Sequence, residues 1–310
     1  MMKTAVCGVW HVHASDYTKH ALNYGEVLGF YEEDDGLAAA FQAQFDLPRF
    51  PSLEALLASD AEGVIVCSAT SDHTAHMVAI ANAGKHIFTE KVLALTTEEC
   101  LRIEEAVNRN GVRFVISLFQ KYLGSRMAVK EIADSGKLGK INYLRFRNCH
   151  AGSTFNWLPP HFYNAAQCGG GAMIDLGAHG MYLTHWILGL PETASSAFTL
   201  AHCAPANTDR VEDNAVTVMG FADGAIAVNE TGFVSAVSPV VLEVFGENGY
   251  VRMENSTVTV CDGGAATQVP VPDDCLLPIV QFLTGDILPG CGMEEAKALT
   301  RMMEMAYHKA

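Results

Sequence analysis

Thr4-Ala5-Val6-Cys7-Gly8-Val9-Trp10-His11-Val12-His13 opens as an apolar run, stops at a glycine and leads into a helix-compatible stretch from His13 to Asn23. Short apolar runs read as buried strands, and a glycine at the strand end permits the turn that starts a helix. The pattern then repeats. Strands are predicted at Val27 to Tyr31, Gly63 to Cys67, His86 to Thr89 and Val112 to Ser117. Helices are predicted between them, at Gly36 to Phe45, Ser52 to Ala58 with Ser52 as N-cap, Ala75 to Ala83, and Thr97 to Asn110 with Thr97 as cap. Such alternation implies crossover connections, a mainly parallel sheet and helices on both of its faces. Residues 1–120 thus read as a doubly wound α/β domain.

The rhythm changes after Ser117. A helix from Gly124 to Ser135 leads into a long strand, Ile141 to Cys149. Further on come strand-like segments at Ser196 to Cys203, Val211 to Phe221, Ala225 to Phe233, Val240 to Phe245, Tyr250 to Glu254 and Thr257 to Cys261. Ala222-Asp223-Gly224 and Glu247-Asn248-Gly249 carry hairpin-turn residues, so these strands are expected to form a mainly antiparallel, open sheet. A helix from Met293 to His308 closes the chain, its Met302, Met303 and Met305 suited to packing. Residues 121–310 read as an α+β domain, with the last helix allowed to pack back on the first.

The totals narrow the partners. A length of 310 residues with 49% hydrophobic and 18% charged content suits a folded two-domain protein. A formal charge of −15 and the lack of any basic run argue against nucleic acid or an anionic membrane as partner. The nine cysteines (Cys7, Cys67, Cys100, Cys149, Cys168, Cys203, Cys261, Cys275, Cys291) contain no CxxC pair. Reduced thiols in a cytoplasmic protein are the economical expectation. The opening residues lack the pattern of a signal peptide, and no apolar run reaches 18 residues.

The turn after the first strand is where a dinucleotide's pyrophosphate meets backbone N–H groups and a helix N-terminus. The usual fingerprint is GxGxxG. Here only Gly8 remains, with Trp10 and His13 at the other two glycine positions and His11 and Val12 between them. A plain strand–helix turn competes with a dinucleotide site. His11 and His13 have the spacing of a metal pair, but no further ligand stands near them in sequence, and no metal site is expected. Glu32, at the end of the second strand, is placed to bind ribose hydroxyls, or else is a solvated acid. Its neighbours Glu33, Asp34 and Asp35 would repel a 2′-phosphate, and no arginine adjoins them, so NAD is favoured over NADP.

Gly169-Gly170-Gly171 begins a second marked stretch, which runs as a helical rhythm through Asp175, His179, Trp186 and Leu188 to a stop at Gly189. Asp175 and His179 are four apart, so an α-helix puts both on one face, where the carboxylate orients an imidazole base. The competing reading is a helix-start acid and a core histidine. With Glu90-Lys91 in Ala83-Gly84-Lys85-His86-Ile87-Phe88-Thr89-Glu90-Lys91-Val92-Leu93-Ala94 set beside Gly169 to Gly189, the chain resembles the glucose–fructose oxidoreductase/inositol 2-dehydrogenase (Gfo/Idh/MocA) family. Ser68-Ala69-Thr70-Ser71-Asp72-His73 resembles that family's loop near the pyrophosphate and nicotinamide ribose, without its proline. Val92 likewise replaces the proline of the family's Glu-Lys-Pro.

The resemblance implies an N-terminal Rossmann domain, a C-terminal domain whose sheet mediates a dimer or tetramer, and an active site in a cleft between them. It implies that an NAD-dependent dehydrogenase acts on a sugar, a polyol or a related cyclic hydroxy compound. Lys91 would stabilise the reacting oxygen, His179 would take its proton, and Asp175 would orient the ring or bind a hydroxyl. Gly8, Trp10, His11, Val12, Glu32, Ser68, Ala69, His73, Glu90 and Lys91 would line the cofactor site. For substrate, the candidates are Gln120, Lys121, His150, Asn156, Trp157, His161 and Tyr182, a mixture of aromatic, amide and basic groups that suits a sugar or equally a packed loop. Two alternatives stay open. One is a glycoside-cleaving enzyme that oxidises transiently and eliminates; the other is a non-catalytic sugar-responsive or assembly subunit.

Overall fold

A computed structural model describes residues 2–307. The chain divides into two compact units. The first runs to Leu118 and also takes in Leu276–Thr300; the second comprises Phe119–Cys275 and the chain from Arg301 onward.

In the first unit β1 (Lys3–Cys7), β2 (Glu26–Tyr31), β3 (Gly63–Val66), β4 (His86–Thr89) and β5 (Phe114–Ile116) form a parallel sheet in the order β2-β1-β3-β4-β5. Val6, Val64, Ile65, Val66, Ile87 and Phe88 are wholly buried, as expected of strands covered on both faces. The crossovers are α1 (Ala14–Tyr24), α2 (Asp35–Phe45) with the short α3 (Leu53–Leu57), α4 (His73–Asn82) and α5 (Thr97–Asn110). Ser52 caps α3 through Ala55 N–H, as predicted. The cap of α5 is Thr96, not Thr97: its hydroxyl accepts from Glu99 N–H while the Glu99 carboxylate accepts from Thr96 N–H. The acidic run after β2 is also partly structural, since Asp34 caps α2 through Leu37 N–H.

A helix that the sequence reading left out, α9 (Pro278–Thr284), belongs to this unit too. Its Phe282 ring lies 5.8 Å from that of Phe88, and its carbonyl accepts from Arg113 at 2.9 Å. The helix has only seven residues, too few for a periodic apolar signal to stand out.

The second unit carries eight strands in the order β13-β12-β11-β10-β6-β9-β8-β7. They are β6 (Ile141–Cys149), β7 (Thr193–Thr199), β8 (Asn214–Gly220), β9 (Ile226–Gly232), β10 (Val241–Gly246), β11 (Gly249–Glu254), β12 (Thr257–Cys261) and the short β13 (Thr267–Gln268). All neighbours are antiparallel except β6 and β9, which run parallel. The reason is topological. The meander β7–β8–β9 brings its last strand beside β6, after a helical connection has carried the chain across the sheet. The strand predicted at Ser196 to Cys203 lies earlier, because Ala201, His202 and Cys203 instead donate their N–H groups to the buried carboxylate of Asp213. On the inner face, Leu144, Phe146, Ala227 and Asn229 are buried. Helices α6 (Gly124–Asp134), α7 (Ala165–Cys168) and α8 (Ala178–Leu188) complete the unit, and α10 (Met293–Tyr307) ends the described chain. His308 of the predicted last helix lies outside the described residues.

Candidate active site

The cofactor candidates gather at the carboxyl edge of the parallel sheet. Gly8 follows β1, Glu32 follows β2, Ser68 and Ala69 follow β3, and Glu90 and Lys91 follow β4. Strand order reverses about β1, whose neighbours are β2 and β3, and a crevice at such a point is where doubly wound sheets bind ligands. The first glycine is retained for two reasons. Its φ is +77°, and a Cβ there would stand 2.4 Å from the backbone of Ser68.

Several backbone donors of the turn already have partners. Gly8 N–H donates to Tyr31 O at 2.7 Å, His11 N–H to Cys67 O at 2.9 Å, and His13 N–H to His11 Nδ1 at 3.2 Å. Val9 N–H donates to Glu32 Oε2 at 2.8 Å, while Glu32 Oε1 accepts from Asp34 N–H at 3.0 Å. Trp10 is half-buried, its ring 6.3 Å from that of His11, and Val12 is turned to solvent. Arg49, distant in sequence, donates to the carbonyls of Glu32 and Glu33 and pairs with Asp35 at 2.7 Å. The acidic run therefore does have an arginine beside it, one already engaged with these groups.

His73 ties two loops together. Its Nδ1 lies 3.1 Å from the carbonyls of Val92 and Leu93 and its Nε2 3.2 Å from that of Ser68, and burial lowers its pKa. Ala69 is buried, and the Ser68 hydroxyl shares a hydrogen bond of 3.0 Å with His76, a residue that sequence reading passed over. Burial also lowers the pKa of His76.

Glu90 is only 1% exposed. Tyr17 Oη donates to its Oε2, as does the ring N–H of His13 at 3.2 Å. Its Oε1 has no hydrogen-bond partner among the described residues. Burial works to raise its pKa, but the charge of His11, the hydrogen bond and charge of His13, and Lys91 outweigh that and hold the carboxyl well below the usual range. The imidazole nitrogens of His11 and His13 and a carboxylate oxygen of Glu90 lie within 4.8 Å of one another. The third ligand judged missing near His11 and His13 is thus delivered by β4, 77 residues beyond His13. Lys91 is buried, and its peptide bond to Val92 is cis.

In the second unit the glycines of the Gly169 stretch have separate tasks. Gly169 ends α7 at φ +84°. Gly170 leaves room for the Tyr307 ring, and Gly171 for the carbonyl of Glu212. The Glu212 carboxylate accepts from Gly171 N–H, Met173 N–H and Tyr307 Oη at 3.0, 2.9 and 2.6 Å, which fixes the start of the helix. Sequence reading missed Glu212, because an acid 41 residues from its partner carries no local signal.

The helix begins with a π turn over Met173–Gly177 and becomes α-helical at Ala178. Asp175 lies in the π turn and His179, four residues on, in the α-helix that follows. The hydrogen bond seen at His179 Nδ1 is to Tyr182 Oη, 2.9 Å away, and Tyr182 Oη accepts in turn from Gln120 N–H at 3.2 Å. Phe119 packs edge-on to the buried His179 ring at 5.4 Å. Gly177 O accepts from Asn229 Nδ2 at 2.7 Å, and Gly180 has no room for a Cβ against Asn229, so the helix is pressed onto β9 at this point.

Among the other substrate candidates, Gln120 Oε1 accepts from Arg126 at 3.3 Å and Lys121 Nζ lies 5.7 Å over the Trp186 ring. Both are buried. His150 stacks on Phe233 at 4.9 Å and 9°, and its ring lies 4.6 Å from that of Trp157, which is 54% exposed. Burial lowers the His150 pKa while the charge of Asp175 works to raise it. Asn156 is exposed with φ +52°, and His161 is half-buried beside Phe162. The structure thus gathers Gln120, His179 and Tyr182 in one group and His150 with Trp157 in another, the latter within reach of the charge on Asp175.

The first unit is, by sheet order and edge, a Rossmann-type dinucleotide-binding unit. The whole chain belongs to the Gfo/Idh/MocA family of oxidoreductases: residues 2–118 match the oxidoreductase family with an NAD-binding Rossmann fold, and residues 127–252 match the GFO/IDH/MocA C-terminal domain. Inositol 2-dehydrogenase 2 of Saccharopolyspora erythraea is 31% identical over 182 residues, 58% of this chain and 51% of that relative, so the match spans about half the relative's length. The 1,5-anhydro-D-fructose reductase of Ensifer adhaerens is 24% identical over 260 residues, covering 80% of this chain and 76% of the other. In three dimensions the aldose-aldose oxidoreductase from Caulobacter crescentus shares the fold at a TM-score of 0.81 and 16% identity, over 98% of this chain and 95% of that one.

Proposed function

We propose that this protein is an NAD-dependent dehydrogenase that moves a hydride between a secondary alcohol of a sugar, polyol or cyclic hydroxy compound and nicotinamide. The observation that carries the reading is the convergence of Gly8, Glu32, Ser68, Glu90 and Lys91, from the ends of four strands, at the switch point of a family-matched Rossmann sheet. The close approach of Gly8 to Ser68 and the carboxylate at the end of β2 fit a dinucleotide; the turn between them has given up two of the fingerprint glycines.

When bound, nicotinamide supplies the hydride acceptor. The chain's own part is proton transfer and charge. Lys91 hydrogen-bonds the carbinol oxygen and stabilises the charge that develops as its proton leaves. His179 takes that proton at Nε2, which carries a lone pair when Nδ1–H donates to Tyr182. Tyr182 helps to orient the ring from Nδ1, and Asp175, four residues before His179, orients the ring or binds a substrate hydroxyl. The exposed Trp157 face, backed by His150, offers a stacking surface for the C–H face of a sugar ring.

Titration with NADH, followed by nicotinamide fluorescence, tests the reading directly. Saturable binding together with NADH formation from an inositol or aldose panel is expected; no binding at millimolar NADH would overturn it. Glu32→Ala is expected to weaken NAD binding and narrow the gap to NADP. Unchanged selectivity would confine Glu32 to holding Val9 N–H.

A further inference from the structure

We infer that His11, His13 and Glu90 form a binding site for a divalent transition-metal ion of the zinc class, and that the ion's open position takes a phosphate oxygen of the dinucleotide. Two imidazoles and a carboxylate are the donor set of three-ligand zinc sites, and imidazole selects zinc, cobalt or nickel over magnesium. Metal–ligand bonds of about 2.0–2.2 Å put tetrahedral ligand atoms about 3.4 Å apart. His13 and Glu90 already stand 3.2 Å apart, and the ligand atoms of all three groups fall within 4.8 Å of one another. If His11 ligates through Nδ1, the long hydrogen bond from His13 N–H at 3.2 Å has to give.

The second observation is Glu90 itself. Its Oε2 accepts from Tyr17 and His13, but its Oε1, in a side chain only 1% exposed, lacks a hydrogen-bond partner among the described residues, and such a buried acceptor is stabilised by a cation. The surrounding turn shows what such an ion would do. The donors of Gly8, Val9, His11 and His13 are spent within the protein, so less of the backbone cradle is left for a pyrophosphate. A dication on two neutral imidazoles and one carboxylate carries a net charge of +1, and it compensates for the lost cradle with a direct bond to an anionic oxygen. Cation binding needs no dinucleotide; only the phosphate contact rests on the function proposed above.

The test begins with the full chain, stripped with chelator and titrated with Co²⁺ alone. One equivalent is expected to give the visible ligand-field bands of low-coordinate cobalt without thiolate charge-transfer bands. Glu90→Gln and the half-exposed His13→Asn, each with native circular dichroism, are expected to weaken binding at least about tenfold. If the buried Glu90→Gln variant fails to fold, His13→Asn carries the comparison. Absent bands, thiolate bands, or unchanged affinity in a folded variant would overturn the site. In a second arm, Zn²⁺ is expected to tighten NADH binding in the native chain but not in His13→Asn. Equal NADH affinity with and without Zn²⁺ would overturn the phosphate contact. An intact cobalt signal with no NADH binding under either condition would instead sink the dinucleotide reading and leave the cation site standing.

Discussion

Glu90 and Lys91 adjoin in sequence but do different work. The glutamate is drawn into the protein by Tyr17 and His13, whereas the lysine is proposed to meet the reacting oxygen. His179 is likewise set by its neighbours, with Tyr182 on Nδ1 and Phe119 against the ring face. Lys91→Ala and His179→Ala are each expected to lower turnover at least about a hundredfold, the usual scale for losing a positioned acid–base or charge-stabilising group. Circular dichroism should remain native. Steady-state rates check this, and native rates in both variants would remove the pair from the chemistry. Both residues were legible from the chain alone because they sit in compact motifs. Tyr182 emerged only as a candidate lining residue, since no local pattern shows that its hydroxyl meets His179.

Caps and turns decide where the elements begin. Thr96 and Thr97 are adjacent, and only Thr96 makes the reciprocal pair with Glu99. Thr96→Ala is therefore expected to cost about 1 kcal/mol, read as a lower denaturation midpoint, while Thr97→Ala should cost little. Equal losses from the two variants would show that the cap does not discriminate between them. The pair illustrates how a sequence locates a helix end to within a residue or two, leaving backbone geometry to select the cap. The π turn at Met173–Gly177 is a larger departure. The apolar rhythm around it is helical either way, so nothing in the residue pattern distinguishes it from an α turn. Glu212, anchored to the helix start from a distant loop, defines it only in three dimensions.

At the scale of the whole molecule, buried histidines and an exposed sheet face have separate consequences. Burial lowers the pKa values of His73, His76 and His150 in the folded chain. Unfolded histidine takes up a proton at about pH 6.5, so on acidification the unfolded chain binds protons that the folded chain refuses. Stability should be fully present above that value and fall as pH drops below it; denaturant melts at about pH 7.5 and 5.5 check the sign. The outer face of the eight-stranded sheet exposes Val216, Val218 and Ile226 beside the Arg145–Glu230–Arg147 cluster. We propose that this face pairs with a second copy, since alternating charges beside an apolar patch are self-complementary. Light scattering should report a dimer or tetramer that Val218→Lys shifts toward monomer, and an unchanged mass would place any interface elsewhere.

The sequence by itself determined the parallel sheet, the change to an open second sheet, and the Glu90-Lys91 and Gly169 motifs. Those depend on near neighbours: the period of apolar residues, the residue at a turn, a spacing within one helix. The tertiary structure alone decided that β9 runs parallel to β6, that Glu212 fixes the start of a helix, and that Glu90 reaches His11 and His13. Each of these joins residues dozens of positions apart, and such meetings are set by the packing of whole elements, which no local stretch of chain encodes.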